Sequence, residues 1–239
     1  MTNDTPEELK KSIKRSLKNI ASLYDLVIEA HTVKDMLEDL VMKLAGLSRA
    51  NNATKSAHYE PRIVVLIDEY DAPIVHLTKG SDLEKANIKV MKDFFMTLKS
   101  LNDYFQLTFI TGVSKFSLSD VFSGANHLKD ITIDASADAM FGYTQQEIIT
   151  IFSKNLEDIA KIWSTKENKK ITPSEVMGQI ATYYNGYKFY EDGLSVYNPW
   201  STLRFLDSSK LENYWYESGS PTILINQMLA DPDRQIIFK

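Results

Sequence analysis

Cysteine is missing from all 239 residues. Its absence excludes disulfides, thiolate metal sites and cysteine nucleophiles, and it fits a reducing cytoplasm. No run approaches the roughly eighteen apolar residues that a membrane helix needs, and the N-terminus is polar without an apolar signal core. A soluble, cytoplasmic chain with no membrane partner is the expectation. Basic residues are not in excess either. Asp and Glu number 32 against 27 Lys and Arg, and no Lys/Arg block stands out, so the electrostatic footprint of a duplex-binding domain is lacking and no nucleic-acid partner is expected. The four histidines, His31, His58, His76 and His127, show no metal-ligand spacing. There is no Gly-x-Ser-x-Gly elbow. Glycine is scarce at nine residues, and none is followed by lysine, so the phosphate-cradling pattern G-x-x-x-x-G-K-[ST] does not occur here.

What the chain does have is a short apolar run ending in acid: Arg62-Ile-Val-Val-Leu-Ile-Asp-Glu-Tyr-Asp-Ala-Pro73. Five β-favouring residues, Ile63 to Ile67, lack helical periodicity and predict a strand buried on both faces, as in a parallel sheet. Asp68 and Glu69 then stand at its C-terminal end, where open α/β sheets bind ligands. In a nucleoside-triphosphate reading this is a Walker B strand: Asp68 holds Mg²⁺ through its water shell, and Glu69 polarises the attacking water. The plain alternative is a strand that ends in a solvated acidic turn.

Helical and strand patterns alternate along the chain. Thr5-Pro6-Glu7-Glu8 is a capping box followed by Leu9, Ile13, Leu17, Ile20 and Tyr24, which predicts a helix over about 6–30. Thr32-x-x-Asp35 restarts a helix with an apolar stripe through Leu44, and Gly46 to Pro61 reads as a surface loop. A helix opened by Ser81 or Asp82 carries Val90, Met91, Phe94, Phe95 and Leu98. Phe105 to Thr111 predicts a second strand that also ends in polar groups, Thr111, Gly112, Ser114 and Lys115. Two strands joined by a helix, each with polar residues at its end, suggest a βαβ unit with the site along one edge. Ile131 to Ile133 reads as a third strand. Further capping boxes at Thr144-x-x-Glu147 and Thr172-x-x-Glu175 start two more helices. Asn185-Gly186 reads as a hairpin turn with Lys188–Tyr190 and Ser195–Tyr197 as short strands.

Several motifs in order carry a family likeness: Val64-Val-Leu-Ile-Asp-Glu-Tyr-Asp-Ala-Pro-Ile74, Ile110-Thr-Gly-Val-Ser-Lys-Phe-Ser117, Phe122-Ser-Gly-Ala-Asn-His-Leu-Lys-Asp-Ile-Thr132, Gly142-Tyr-Thr144, Tyr184-Asn-Gly-Tyr-Lys-Phe189, Tyr197-Asn-Pro-Trp200 and Tyr214-Trp-Tyr-Glu-Ser-Gly219. From about Arg62 to Leu229 the chain resembles the AAA-ATPase-like domain family of bacterial predicted ATPases. The resemblance implies an α/β fold: a P-loop NTPase parallel sheet flanked by helices, incomplete here, then a C-terminal helical or winged-helix lid. The expected division is 1–140 for the partial core and 141–239 for the lid.

Carried over by position, the resemblance makes Asp68 the Mg²⁺ carboxylate and Glu69 the water-activating base. Thr111 or Ser114 becomes the sensor group, and Lys115 a cation within approach of phosphate. Mg²⁺ and ATP are the family's cofactors. Members carry a phosphate loop near their start, which this sequence lacks; it resembles a member that begins after its first α/β unit and ends before a nuclease-like domain. Walker B carboxylates are anionic and reach phosphate only through Mg²⁺, so Asp68 and Glu69 cannot hold ATP well by themselves. Three readings follow: an ATPase-lineage domain inactive alone, a non-catalytic interaction module with a protein partner completing its sheet, and a metal-dependent nuclease using Asp68, Glu69 and Asp71. Parallel pairing of the two strands, with Asp68 and Thr111 at one end, is required by the first.

Overall fold

A computed structural model describes residues 5–51, 63–113 and 127–214. Chain contacts divide it into two compact units, Met1–Lys129 and Asp130–Lys239. Among the described residues are seven α-helices and one two-stranded parallel sheet. None of those helices is long and apolar enough to cross a membrane.

The first unit begins with α1 (Pro6–Leu23), started by the Thr5–Glu8 capping box with Pro6 in the first turn. It stops well short of residue 30. Asp25 takes a left-handed φ of +55°, while the N–H groups of Leu26 and Asp25 bond back to the carbonyls of Ala21 and Ser22. That is a Schellman stop, and aspartate fills the place glycine usually takes, so no glycine announces it in the sequence. Helix α2 (Val33–Asn51) runs on through Gly46 into what the composition suggested was loop. Helix α3 (Asp82–Ser100) is capped by the Ser81 hydroxyl, which accepts the Glu84 N–H.

Strands β1 (Ile63–Ile67) and β2 (Phe105–Ile110) pair in parallel, with Val64 opposite Leu107 and Ile67 opposite Ile110. The predicted pairing and its shared end are both present. Burial differs from expectation. Ile63, Val65 and Ile67 pack toward a core of Leu9, Leu17, Met36, Leu40, Phe95 and Leu98, supplied by α1, α2 and α3. The opposite face shows Val64, Leu66 and Leu107 at 51, 71 and 50 % exposure. A run of five apolar residues therefore alternates between core and solvent. The expected third strand is a turn instead, with the Asp130 carboxylate accepting the Thr132 N–H and Asp134 bonding back to the Ile131 carbonyl.

The second unit packs α4 (Gln145–Ile151), α5 (Ser153–Glu167), α6 (Pro173–Tyr184) and α7 (Pro199–Ser208) around Ile148, Ile159, Val176, Ile180, Tyr184 and Phe205. Two isolated antiparallel bridges, Tyr143 with Tyr197 and Tyr187 with Val196, replace the expected hairpin. The chain reverses at 190–193, where Gly193 bonds back to Tyr190. Asn185-Gly186 does not make the turn; Asn185 is the C-cap of α6, and Gly186 has a φ of +113°.

Both capping boxes in this unit formed. Glu147 and Glu175 accept the backbone N–H groups of Thr144 and Thr172 at 2.8 and 2.7 Å. Those backbone bonds first, and the threonine hydroxyls second, hold both carboxyls below the ordinary glutamate value. A depressed folded-state value stabilises above the unfolded pKa of about 4.3 and is lost as pH falls through the folded value. The thermal midpoint of the second unit is thus expected to be flat from neutral pH down to about 5, then to fall. In the double variant Glu147→Gln, Glu175→Gln the acid limb should be shallower; an unchanged limb would remove these boxes from the account.

Candidate functional site

The end of β1 is irregular in a specific way. In a regular parallel ladder Thr111 would bond the Ile67 carbonyl and the Glu69 N–H. Thr111 N–H does donate to Ile67 O at 2.8 Å, but its carbonyl accepts from Tyr70 N–H, at 2.9 Å. One extra residue has been let into β1, a bulge of the kind that re-aims side chains beside functional sites. Glu69 absorbs it with a left-handed φ of +49°, costly for a residue with a Cβ.

The bulge sorts the acidic residues. The exposed Asp68 carboxylate accepts the Glu69 N–H at 3.0 Å through Oδ1, and the same oxygen takes a short hydrogen bond from the Thr111 hydroxyl. Glu69 is exposed, and its carboxylate makes no hydrogen bond or ion pair with a described residue. Asp71 goes the other way. It is 1 % exposed, and its Oδ1 accepts the Val113 N–H at 3.1 Å. This carboxylate thus ties the exit of β2 to the exit of β1.

Tyr70 and Gly112 complete this lock. Tyr70 is buried, with its ring edge-on to Phe95 at 6.5 Å. A Cβ on Gly112 would fall on the Tyr70 ring and lie 2.9 Å from Asp71 Oδ1. Gly112 is needed here for close approach. Of the residues named from sequence, Asp68, Glu69 and Thr111 come together; Ser114 and Lys115 lie outside the described residues. Asp71 is drawn inward, and among the described residues no group of three metal-ligating side chains converges.

This geometry gives the comparisons their meaning. A model of the predicted AAA-ATPase family matches residues 1–122, taking in α1 to α3 and both strands. The chain belongs to the predicted AAA-ATPase family. A protein of Azotobacter chroococcum mcd 1, described as "uncharacterized protein in vnfD 5'region", is 30 % identical over 165 residues, 69 % of this chain. The chain spans 28 % of the length of that relative. No solved structure matches. In this AAA-ATPase family member the matched region includes the N-terminal helices, which the motif series from Arg62 onward left out, and it ends before Gly142-Tyr143-Thr144.

The later motifs have local physical grounds of their own. A Cβ on Gly142 would fall on the Val196 side chain and meet the Tyr197 carbonyl at 3.2 Å. Asn198 caps α7 by accepting the Ser201 N–H at 2.9 Å, with Pro199 in the first turn. Burial raises the phenol values of Tyr184 and Tyr197. Tyr184 uses its hydroxyl to clamp the backbone of Glu212, donating to the carbonyl at 2.9 Å and accepting from the N–H at 3.1 Å.

Proposed function

We propose that this chain carries the carboxylate side of an Mg-nucleotide site of P-loop lineage, and that the phosphate-cradling loop comes from another stretch of polypeptide. The observation that carries the reading is the hydrogen bond from Thr111 to Asp68 across the C-terminal tips of two parallel strands. The donor set suits the metal half: two exposed carboxylates offer hard oxygens, the ligand type Mg²⁺ takes. It does not suit the phosphate half, because no Gly-Lys pair is present to cradle and neutralise the β- and γ-phosphates. When bound, Mg²⁺ supplies charge neutralisation at the phosphates. Asp68 would hold it, oriented by the Thr111 hydroxyl. Glu69 would accept a proton from the attacking water, and Thr111 or Ser114 would sense the terminal phosphate, with Lys115 approaching it. On this reading the second unit would be the lid.

The open sheet face supports a partner. Parallel sheets are almost always covered on both faces, and two strands alone are marginal in water. Val64, Leu66 and Leu107 form an apolar surface on a sheet that α1 to α3 cover on one side only. A polypeptide that brings a phosphate loop and covers this face meets both needs. The alternative, a non-catalytic interaction module, uses the same face without the chemistry.

Calorimetric titration separates them. The chain alone is expected to show no micromolar affinity for Mg-ATP. Mixed with or fused to a family α/β unit bearing G-x-x-x-x-G-K-[ST], it is expected to bind Mg-ATP in an Asp68-dependent way, with Glu69→Gln sparing binding and removing turnover. Micromolar affinity of the chain alone for ATP but not AMP would overturn the split-site reading. Association with such a unit without nucleotide binding would favour the interaction module.

A further inference from the structure

The nucleotide reading gives roles to Asp68, Glu69 and Thr111 and leaves Asp71, the buried acid of the same stretch, without one. Asp71 is 1 % exposed, and its Oδ1 accepts the Val113 N–H, 42 positions along the chain, at 3.1 Å. We infer that Asp71 is a positioning residue of the carboxylate site: through Val113 it fixes the exit of β2 in the placement from which the Thr111 hydroxyl reaches Asp68. That role rests on the Mg-nucleotide reading of the site.

The first ground is how Thr111 is held. Its N–H donates to the Ile67 carbonyl at 2.8 Å and its carbonyl accepts the Tyr70 N–H at 2.9 Å, both bonds to the exit of β1. Two residues on, Asp71 supplies a third tie, and between them Gly112 lies so close to the Tyr70 ring and to Asp71 Oδ1 that a side chain would collide with both. Threonine is stiff at χ1, so its hydroxyl goes where its backbone is aimed. Here it is aimed at Asp68 Oδ1. Two strands alone are marginal in water and chain segments with few ties open first, so without the Asp71 bond β2 is free to swing from Thr111 onward.

The second ground is how Asp71 is itself held. Its carbonyl accepts the N–H groups of Ile74 and Val75 at 2.9 and 3.0 Å, and the Ala72 N–H bonds to the Glu69 carbonyl at 2.9 Å, which winds 69–75 into tight turns. The Pro73 carbonyl within them accepts a hydrogen bond from the side chain of Asn87, a fully buried residue of α3, at 3.0 Å. A line of hydrogen bonds therefore runs from a core helix through this turn to Asp71, on to Val113, and back through Thr111 to Asp68. The site is referenced to α3 and not only to two strand tips. The third ground is cost. Burying a carboxylate is expensive unless hydrogen bonds offset it, and an apolar residue would serve here if filling space were the whole requirement. What the Val113 N–H needs is an acceptor.

The test uses the full chain, isotopically labelled and titrated with magnesium chloride at constant ionic strength while amide resonances are followed. Saturable shifts at Asp68, Glu69 and Thr111 are expected in the unaltered chain. Asp71→Ala should raise the half-saturating Mg²⁺ concentration about tenfold or more, the usual effect of losing a group that orients a metal ligand, whereas Asp71→Asn keeps an acceptor oxygen and should restore binding. Leu17→Ala truncates a buried side chain of the same core, lowers stability without touching these bonds, and should leave half-saturation unchanged. No shifts in the unaltered chain would overturn the carboxylate-site reading and this role with it. Shifts that Asp71→Ala leaves intact, that Asp71→Asn fails to restore, or that Leu17→Ala weakens as much would overturn the role alone. Should Asp71→Ala not fold, the unaltered chain decides: a scalar coupling across the hydrogen bond between the Val113 nitrogen and the Asp71 carboxyl carbon supports the role, and its absence overturns it.

Discussion

Phe205→Ala is expected to destabilise the second unit by about 3–5 kcal/mol, the range for truncating a fully buried aromatic side chain. Phe205 is 0 % exposed, and its ring meets Trp163 edge-on at 5.8 Å and Tyr184 at 6.0 Å. Removing it deletes the transfer energy of the ring. It also leaves a cavity at the point where α5, α6 and α7 meet. Domains of this size are stable by only about 5–15 kcal/mol, so the loss takes a large share. Urea denaturation of the full chain, followed by tryptophan fluorescence, is the measurement, because Trp163 lies against the deleted ring. Phe205→Leu, which keeps most of the volume, should cost less than half as much. A Phe205→Ala loss below about 1 kcal/mol would mean that this core is not packed as described.

Gly112→Ala is expected to cost about 1–3 kcal/mol by overpacking, with the upper end favoured by what the new methyl would meet. It would fall on the Tyr70 ring, which is held against Phe95, and lie 2.9 Å from Asp71 Oδ1. Neither neighbour is a flexible chain end. Relief requires the exit of β2 to move away from β1, which pulls on the Val113–Asp71 and Thr111–Asp68 bonds together. The variant is therefore expected to disturb the carboxylate site as well as the fold, seen as amide shifts at Asp68, Glu69 and Thr111. Gly46→Ala is the matched control. Gly46 lies within α2 with nothing within 4 Å of an added Cβ, so alanine there should stabilise by about 0.5–1 kcal/mol. Equal effects at the two glycines would contradict the packing of the Tyr70–Gly112 lock.

Much of the local structure is legible because its causes are local. The capping boxes at Thr5, Thr144 and Thr172 each formed where three-residue spacing places a hydroxyl opposite a carboxylate. The parallel pairing of β1 with β2 could be inferred because an intervening helix leaves a right-handed crossover as the short connection. The end of α1 could not, since Asp25 adopts a conformation that composition assigns to glycine. The site divides in the same way. Asp68 and Glu69 at the end of an apolar run mark a strand tip, and Thr111 marks the next one. The bulge at Glu69 and the inward turn of Asp71 depend on hydrogen bonds to residues about forty positions away, which no window along the chain contains.

The sequence by itself determined five of the helix starts, the two paired strands, the acidic strand tip and the absence of a Gly-Lys phosphate loop, because each depends on neighbours within a few residues. Only the tertiary structure decided which face of β1 is buried, which carboxylate is free and which is structural, and why Gly112 carries no side chain. Burial and hydrogen-bond satisfaction belong to pairs of segments brought together by folding. Five apolar residues in a row read alike whether one or both faces of their strand are covered; here α1, α2 and α3 all pack on the side of Ile63, Val65 and Ile67.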